Sequence, residues 1–258
     1  MSRSREDAVV AQLRAAGCVF AEDEARLLLA QARTPAELDA MVGRRVAGVP
    51  LEHVLGWAEF RGLRIAVTAG VFVPRRRTEL LVEEAIALAR PGAVVVDLCC
   101  GSGALGLAVA MSVERAELHA TDVDPAAVAC AAGNVAAVGG RTYVGDLFTP
   151  LPAGLRGRVD LLLANVPYVP SGAIALMPPE ARLHEARVAL DGGADGLDVA
   201  RRVVAEAPRW LAPGGSLLFE TSEDQAPSAV DAVVTAGLVA RVVTDDERGA
   251  TVVTGGRG

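Results

Sequence analysis

The chain contains no lysine: all 25 of its basic residues are arginine. That excludes Schiff-base chemistry on a lysine amine. Aromatics make up 3% of the residues against 52% apolar overall, which describes a globular protein built from Ala, Val and Leu. The four cysteines (Cys18, Cys99, Cys100, Cys130) show no metal-ligand spacing. The neighbours Cys99 and Cys100 cannot readily bridge each other, so all four read as reduced thiols. The three histidines are scattered, and no metal site is expected. The longest uncharged run, Leu161 to Pro179, holds Asn165 and four prolines, so it does not read as a membrane span. The start, MSRSREDAVV, lacks the apolar core of a signal peptide. These absences lead us to expect a cytoplasmic protein with no membrane partner. A net charge of −7 argues against a general nucleic-acid binder, leaving a local basic patch open.

What is present is organised around VVVDLCCGSGALGLAVA, Val94 to Ala110. A β-branched run reads as a buried strand with Asp97 at its end. A glycine-bearing loop follows, Cys99 to Gly103, and then a small, apolar, helix-compatible stretch. Strand, tight turn and helix form the opening unit of a doubly wound α/β sheet. Gly101, Gly103 and Gly106 spell G-x-G-x-x-G, which by itself fits a dinucleotide, a nucleoside ligand or a plain tight turn. Two acids narrow the choice. Asp97 before the loop would repel a pyrophosphate but suits a cation or an amino group. Asp122 closes the next strand, nineteen residues after Gly103, where an acid takes ribose hydroxyls. Acids at both strand ends suit S-adenosylmethionine, which carries a sulfonium, an ammonium and a ribose but no phosphate.

In chain order, residues 1–50 read as short amphipathic helices, with T-P-x-E at Thr34 to Glu37 as a capped start. They are either a bundle packed on itself or a module that recognises a macromolecule. Residues 51–73 read as a β-hairpin linker, with Gly62 near the turn. A domain from 74 to 258 follows. Arg75 to Arg77 precede a helix over Thr78–Ala89 and form either a solvated loop or one that folds over a ligand. Strands are expected at Glu117–Asp122, Thr142–Val144, Val159–Ala164 and Ser216–Glu220, alternating with helices, hence a parallel sheet. Leu238–Thr244 and Ala250–Thr254 read as a closing antiparallel hairpin. No repeat and no low-complexity linker is visible.

Ligands of open α/β sheets sit beyond the carboxyl ends of the strands. Asp97, Asp122, Asp146 and Asn165 arrive there from four strands. Asp146 with Leu147 either frames an adenine or is a turn acid. In Asn165-Val166-Pro167-Tyr168, Pro167 holds Val166 extended and fixes the path of the loop. The Asn165 side-chain oxygen and the Val166 carbonyl then stand side by side as two acceptors, with Tyr168 as a flat wall. That pair suits an –NH₂ group.

With these motifs on view, the chain resembles the protein-glutamine N-methyltransferases of the HemK/PrmC type, which act on peptide-chain release factors. GVPLEHVLGWAEFRGLRIAV is similar to the family's linker, and VFVPRRRTELLVEEA to its I-P-R-P-x-T-E-x-L segment. DLCCGSGALGLAVA stands where the family has D-L-G-T-G-S-G-A-I. TDVDPAAVACAAGN, GDLFTPLP, NVPYVP, HEARVALDGGADGLD and LAPGGSLLFE match later motifs. The resemblance implies a Rossmann-like class I S-adenosylmethionine-dependent methyltransferase sheet with a small N-terminal helical domain for substrate recognition. It implies S-adenosylmethionine as cofactor, held by the loop Cys99, Cys100, Gly101, Ser102 and Gly103 and by Asp97, Asp122 and Val123. Asp146, Leu147 and Asn165 are implied as well, with Phe72, Arg75 and Thr78 from the preceding segment. Asn165, Val166, Pro167 and Tyr168 are implied to take the target glutamine amide.

Four positions depart from the family pattern. Cys99 replaces the first loop glycine, and Arg76 the second proline of P-R-P. Val166 replaces the first proline of N-P-P-Y, and Ala186 the proline of E-P-R. A second protein or a small amide or amine therefore stays open as substrate. A cofactor-binding protein without turnover is a rival from another class. A dehydrogenase would leave the NVPY loop without a use.

Overall fold

The structure is a computed structural model describing residues 3–258. Four short helices come first: α1 (Arg3–Ala15), α2 (Ala21–Gln31), α3 (Pro35–Val46) and α4 (Leu51–Leu55). Helices of this length are marginal alone in water. Here they bury Leu13, Leu28, Leu38 and Met41 against one another. The T-P-x-E start is present, the Thr34 hydroxyl accepting from the Glu37 N–H at 3.1 Å. Residues 51–55, expected to open the β-linker, form α4 instead. Val54 and Leu55 complete the bundle's core, and Gly56 ends the helix in the left-handed conformation at φ 80°.

Next, β1 (Trp57–Phe60) and β2 (Leu63–Ala66) pair antiparallel around Arg61 and Gly62. Both turn residues have positive φ, 51° and 73°, as a two-residue hairpin turn requires. Phe60 and Ile65 point into the core of the following domain, which fixes the hairpin to it.

That domain alternates: α5 (Glu79–Leu88), β3 (Val94–Leu98), α6 (Ala104–Ser112), β4 (Glu117–Asp122), α7 (Pro125–Val135) and β5 (Arg141–Val144). It continues with β6 (Val159–Ala164), α8 (Pro179–His184), α9 (Asp198–Trp210) and β7 (Leu211–Thr221). It closes with α10 (Ala226–Thr235), β8 (Val239–Asp245) and β9 (Ala250–Gly256). The sheet order is β5-β4-β3-β6-β7-β9-β8. The strands from β5 to β7 are parallel, and β9 and β8 are the expected antiparallel closure. This is the Rossmann-like α/β architecture read from the alternation. Side chains alternate between two cores, Val96, Leu98, Leu162 and Phe219 on one face and Val95, Leu161, Leu163 and Leu218 on the other. Covered faces on both sides explain why β3 is apolar nearly throughout.

Two details move against the sequence reading. Asp97 does not end its strand: Leu98 still pairs with Thr121 and Ala164, so Asp97 is interior and 1% exposed. And β7, expected from Ser216, already starts at Leu211 and takes in Pro213-Gly214-Gly215, with a register shift at Val159/Leu161 on β6. Among the described residues no helix is long and apolar enough to cross a membrane.

Candidate active site

The strand order reverses between β3 and β6, and a cleft opens beyond the carboxyl ends there. Its volume is about 470 Å³, inside the range of about 300–1,000 Å³ usual for small-molecule and cofactor sites.

The loop after β3 forms one wall. Cys99, Gly101 and Gly103 all adopt positive φ, 53°, 54° and 75°. The Cys100 N–H donates to the Thr121 carbonyl at 3.0 Å, tying the loop to β4. Cys99, Cys100, Gly101 and Ser102 face the cleft. Burial and the surrounding acids push both thiols up, so both stay protonated. Gly103 is not on the cleft wall. It precedes α6, and a Cβ there would lie 3.0 Å from Val135 and 3.1 Å from Ala131, so its glycine answers helix packing. Gly106 is tighter still: a Cβ would lie 2.8 Å from Leu118 Cδ1 and 2.9 Å from Asp97 Oδ2.

That closeness lets the Gly106 N–H donate to Asp97 Oδ2 at 2.9 Å. The other oxygen, Oδ1, is buried without a partner among the described residues. Burial pushes the Asp97 carboxyl up to about 7, the nearby Asp122 charge adding to it and the Gly106 N–H opposing it. Asp122 takes the Gly101 N–H on Oδ2 at 2.9 Å and the Asp124 N–H on Oδ1 at 3.0 Å. Each oxygen keeps a lone pair for a further donor. Burial raises this carboxyl too, against those backbone donors. Val123 stands beside it on the rim.

Leu147 is buried at φ 48°, its carbonyl accepting from the Thr121 hydroxyl at 3.0 Å. Its side chain supplies an apolar wall. Asp146, read as an acceptor for an exocyclic amine, is exposed and already paired with Arg202 of α9 at 2.5 Å.

The far wall comes from the segment before α5. The Arg75 guanidinium lies 4.9 Å from the Phe72 ring centroid and donates to Glu185 Oε1 at 2.5 Å. The same oxygen takes the Val73 N–H at 3.1 Å, while Oε2 is buried and unpartnered among the described residues. Gly70 and Glu185 form an isolated parallel bridge. Residues 70–75 are thus clasped to 185–186 at the cleft mouth.

Asn165 follows β6, half-buried, and its Nδ2 donates to the Thr78 hydroxyl at 3.4 Å. Val166 is buried in the core, and its carbonyl accepts no hydrogen bond among the described residues. Pro167 and Tyr168 are held from behind. A Cβ on Gly192 would lie 2.6 Å from the Pro167 carbonyl oxygen, and one on Gly196 would lie 2.2 Å from that of Tyr168. Gln225 Nε2 also donates to the Tyr168 carbonyl at 2.9 Å. The motif DGGADGLD therefore serves as the bare backbone on which NVPY rests, a role that the sequence reading left unassigned.

Glu220, inside LAPGGSLLFE, likewise carries no local mark of a function. It is 1% exposed and takes three donors. Arg77 Nε at 2.9 Å and the Tyr168 hydroxyl at 2.7 Å share Oε1; the Thr78 hydroxyl reaches Oε2 at 2.6 Å.

The comparisons with known proteins bear on the family and the fold. A family model described as methyltransferase small domain matches residues 62–194. A release factor glutamine methyltransferase of Geobacter sulfurreducens is 39% identical over 228 residues, covering 86% of this chain and 79% of the relative. That of Cereibacter sphaeroides is 38% identical over 259 residues, covering 93% and 92%. The chain belongs to the release factor glutamine methyltransferase family. Among solved structures, a 16S rRNA N2 methyltransferase of T. thermophilus superimposes with TM-score 0.56 at 21% identity, covering 78% of this chain and 50% of that one. A ribosomal protein L11 methylase of Lactobacillus delbrueckii gives 0.52 at 17%, covering 71% and 81%. These two establish the fold alone.

As a member of this family the chain is a methyltransferase, and its cofactor is S-adenosylmethionine. The donor set fits that molecule: an unpartnered buried carboxylate oxygen on Asp97, spare lone pairs on Asp122, and the apolar Leu147. The departures from the family pattern have local consequences. Cys99 holds a side chain at a φ that favours glycine. Arg76 lies on the surface. The Ala186 N–H donates to the Gly70 carbonyl at 3.2 Å, a bond that proline has no hydrogen to make.

Proposed function

We propose that the enzyme methylates the side-chain amide nitrogen of a glutamine in a peptide-chain release factor, with Asn165 and Val166 gripping that amide. S-adenosylmethionine, when bound, supplies an electrophilic methyl group on a sulfonium. The rest is orientation by the chain. An amide nitrogen is a weak nucleophile because its lone pair is delocalised into the carbonyl. Asn165 Oδ1 and the Val166 carbonyl accept its two hydrogens and fix the direction of the nitrogen. Their negative dipoles stabilise positive charge developing there. Tyr168 closes the site as a flat wall, its hydroxyl turned away to Glu220. Once methylated, the nitrogen is strongly acidic and gives up one of its two hydrogens to solvent, so the step needs no general base from the chain.

The observation that carries this reading is the direction of the Asn165 amide. Its –NH₂ is engaged by Thr78, which leaves Oδ1 as an acceptor. The α1–α4 bundle selects the protein substrate. Arg45, buried between Glu24 of α2 and Glu180 of α8, joins the bundle to the cleft mouth. The test is Asn165→Ala, assayed with purified release factor, labelled methyl donor and mass spectrometry of the modified peptide. Methyl transfer is expected to fall by about 10²-fold or more, with cofactor binding retained. Unimpaired transfer by Asn165→Ala overturns the amide grip. A parent enzyme that labels another protein or a small amide instead overturns the release factor.

A further inference from the structure

We infer that Glu220 is a positioning residue: through the Thr78 hydroxyl it sets which end of the Asn165 amide faces the substrate. The inference rests on the amide-gripping role of Asn165 proposed above.

The two ends of an asparagine amide have nearly the same shape and opposite hydrogen-bonding character, so only neighbours decide its orientation. Thr78 is the neighbour here, at 3.4 Å from Nδ2. A hydroxyl has one proton to give. By itself it would accept from Nδ2 or donate to Oδ1 with equal ease. Glu220 removes that freedom. Its Oε2 takes the Thr78 proton at 2.6 Å, a short bond to a buried carboxylate. Thr78 can then only accept, Asn165 can only donate to it, and Oδ1 is turned to the cleft.

Glu220 is itself constrained to accept. Oε1 takes Arg77 and Tyr168 from one side, and Oε2 takes Thr78 from the other, so no oxygen is left to carry a proton outward. All three partners lie on segments that line the cleft. The chain of bonds runs in one direction, Asn165 to Thr78 to Glu220, and ends on a charge.

Glu220→Gln breaks the direction while keeping the shape. Two donors, Arg77 and Tyr168, would hold the single amide oxygen of the glutamine. Its –NH₂ would then face Thr78, which must accept and turn its own proton towards Asn165. Asn165 reverses and presents –NH₂ to the substrate –NH₂, donor against donor.

The experiment compares Glu220→Gln, Thr78→Val, Thr78→Ser and Asn165→Ala in the full chain. We expect kcat on the release factor to fall by about 10²-fold or more in Glu220→Gln and Thr78→Val, with S-adenosylmethionine affinity unchanged in Glu220→Gln. Thr78→Ser keeps the hydroxyl and is expected to recover most of the turnover lost in Thr78→Val. In the parent, side-chain NMR should give a cross-peak between the Asn165 –NH₂ and Thr78, and Glu220→Gln should lose it. Should Glu220→Gln not fold, the Thr78→Val and Thr78→Ser pair and the NMR contact decide. Thr78→Ser no better than Thr78→Val, or parent-like kcat in Glu220→Gln, overturns the inference while Asn165→Ala remains impaired. Full activity of Asn165→Ala overturns the amide grip itself, which separates the two failures.

Discussion

Asp97 should make cofactor binding depend on pH in the neutral range. Its carboxyl is fully buried, keeps one oxygen without a partner among the described residues, and titrates near 7 against an ordinary 3.8. A raised folded value means that the folded apoenzyme holds a proton which the unfolded chain gives up between pH 4 and 7. Its contribution therefore favours folding at low pH and is lost as pH rises, by about 4 kcal/mol from roughly three units at 1.36 kcal/mol each. An ammonium group against Oδ1 offsets that loss by supplying the missing opposite charge.

Only the ionised carboxylate suits an ammonium. About 3% of Asp97 is ionised at pH 5.5 and half at pH 7. The cofactor's own amine stays charged over this interval. Affinity should therefore rise by about fifteenfold from pH 5.5 to 7, with close to one proton released per cofactor bound at the lower pH. Calorimetry in buffers of different ionisation enthalpy reads both quantities. Asp122 is raised too, so Asp97→Asn keeps a residual slope of the same sign. The difference between parent and Asp97→Asn is the Asp97 contribution. A flat affinity with no proton release at pH 5.5 would refute the ammonium role.

Other perturbations test the scaffold around the cleft. In Gly106→Ala the new Cβ meets Leu118 and Asp97 at 2.8 and 2.9 Å. Overpacking of about 1–3 kcal/mol outweighs a helix gain of about 1 kcal/mol, so urea unfolding should show a net loss; a gain would refute the close seating of α6. Cys99→Gly relieves a left-handed penalty of about 1–2 kcal/mol and adds about 0.5–1 kcal/mol of unfolded-state entropy. A small net stabilisation is expected, and a large loss in the same assay would contradict strain at Cys99. Arg45→Ala leaves Glu24 buried without its partner. We expect a cost of about 3–5 kcal/mol and loss of hydrogen-exchange protection in α2 and α3; unchanged protection would show that the bundle does not depend on that ion pair.

The sheet, the glycine loop and the NVPY turn were legible because each is written in adjacent residues. Val94 to Val96 declare a buried strand, and Pro167 stiffens the residue before it. What was not legible depends on distant pairings. Glu220 meets Tyr168, Thr78 and Arg77 across separations of 52, 142 and 143 residues. Nothing local distinguishes it from a strand-end acid on the surface. α4 escaped for a related reason: LEHVL is too short for a period to appear, and its helix is set by Val54 and Leu55 docking into the bundle. Asp97 was placed one residue too near its strand's end, because the pairing of Leu98 with Thr121 and Ala164 is not visible in the chain itself.

The buried carboxylates around the cleft differ in one respect that orders their roles. Glu220 has a partner on each oxygen and three donors in all. A carboxylate so satisfied has little left to offer a ligand; its charge is used to direct the groups that hold it. Among the described residues Asp97 has one donor and one bare oxygen, in a place where leaving a buried polar atom unpaired costs about 1–3 kcal/mol. Asp97 lies on the cleft wall, where a cationic group of a ligand can complete that oxygen. Glu185 lies between the two: Oε1 is doubly held by Arg75 and Val73, and Oε2 is bare among the described residues. It is not on the cleft wall, and its held oxygen fastens the two segments that frame the cleft mouth. Filled lone pairs thus leave a carboxylate to hold its own scaffold, and a bare one is open to a ligand only where the carboxylate also faces the cleft.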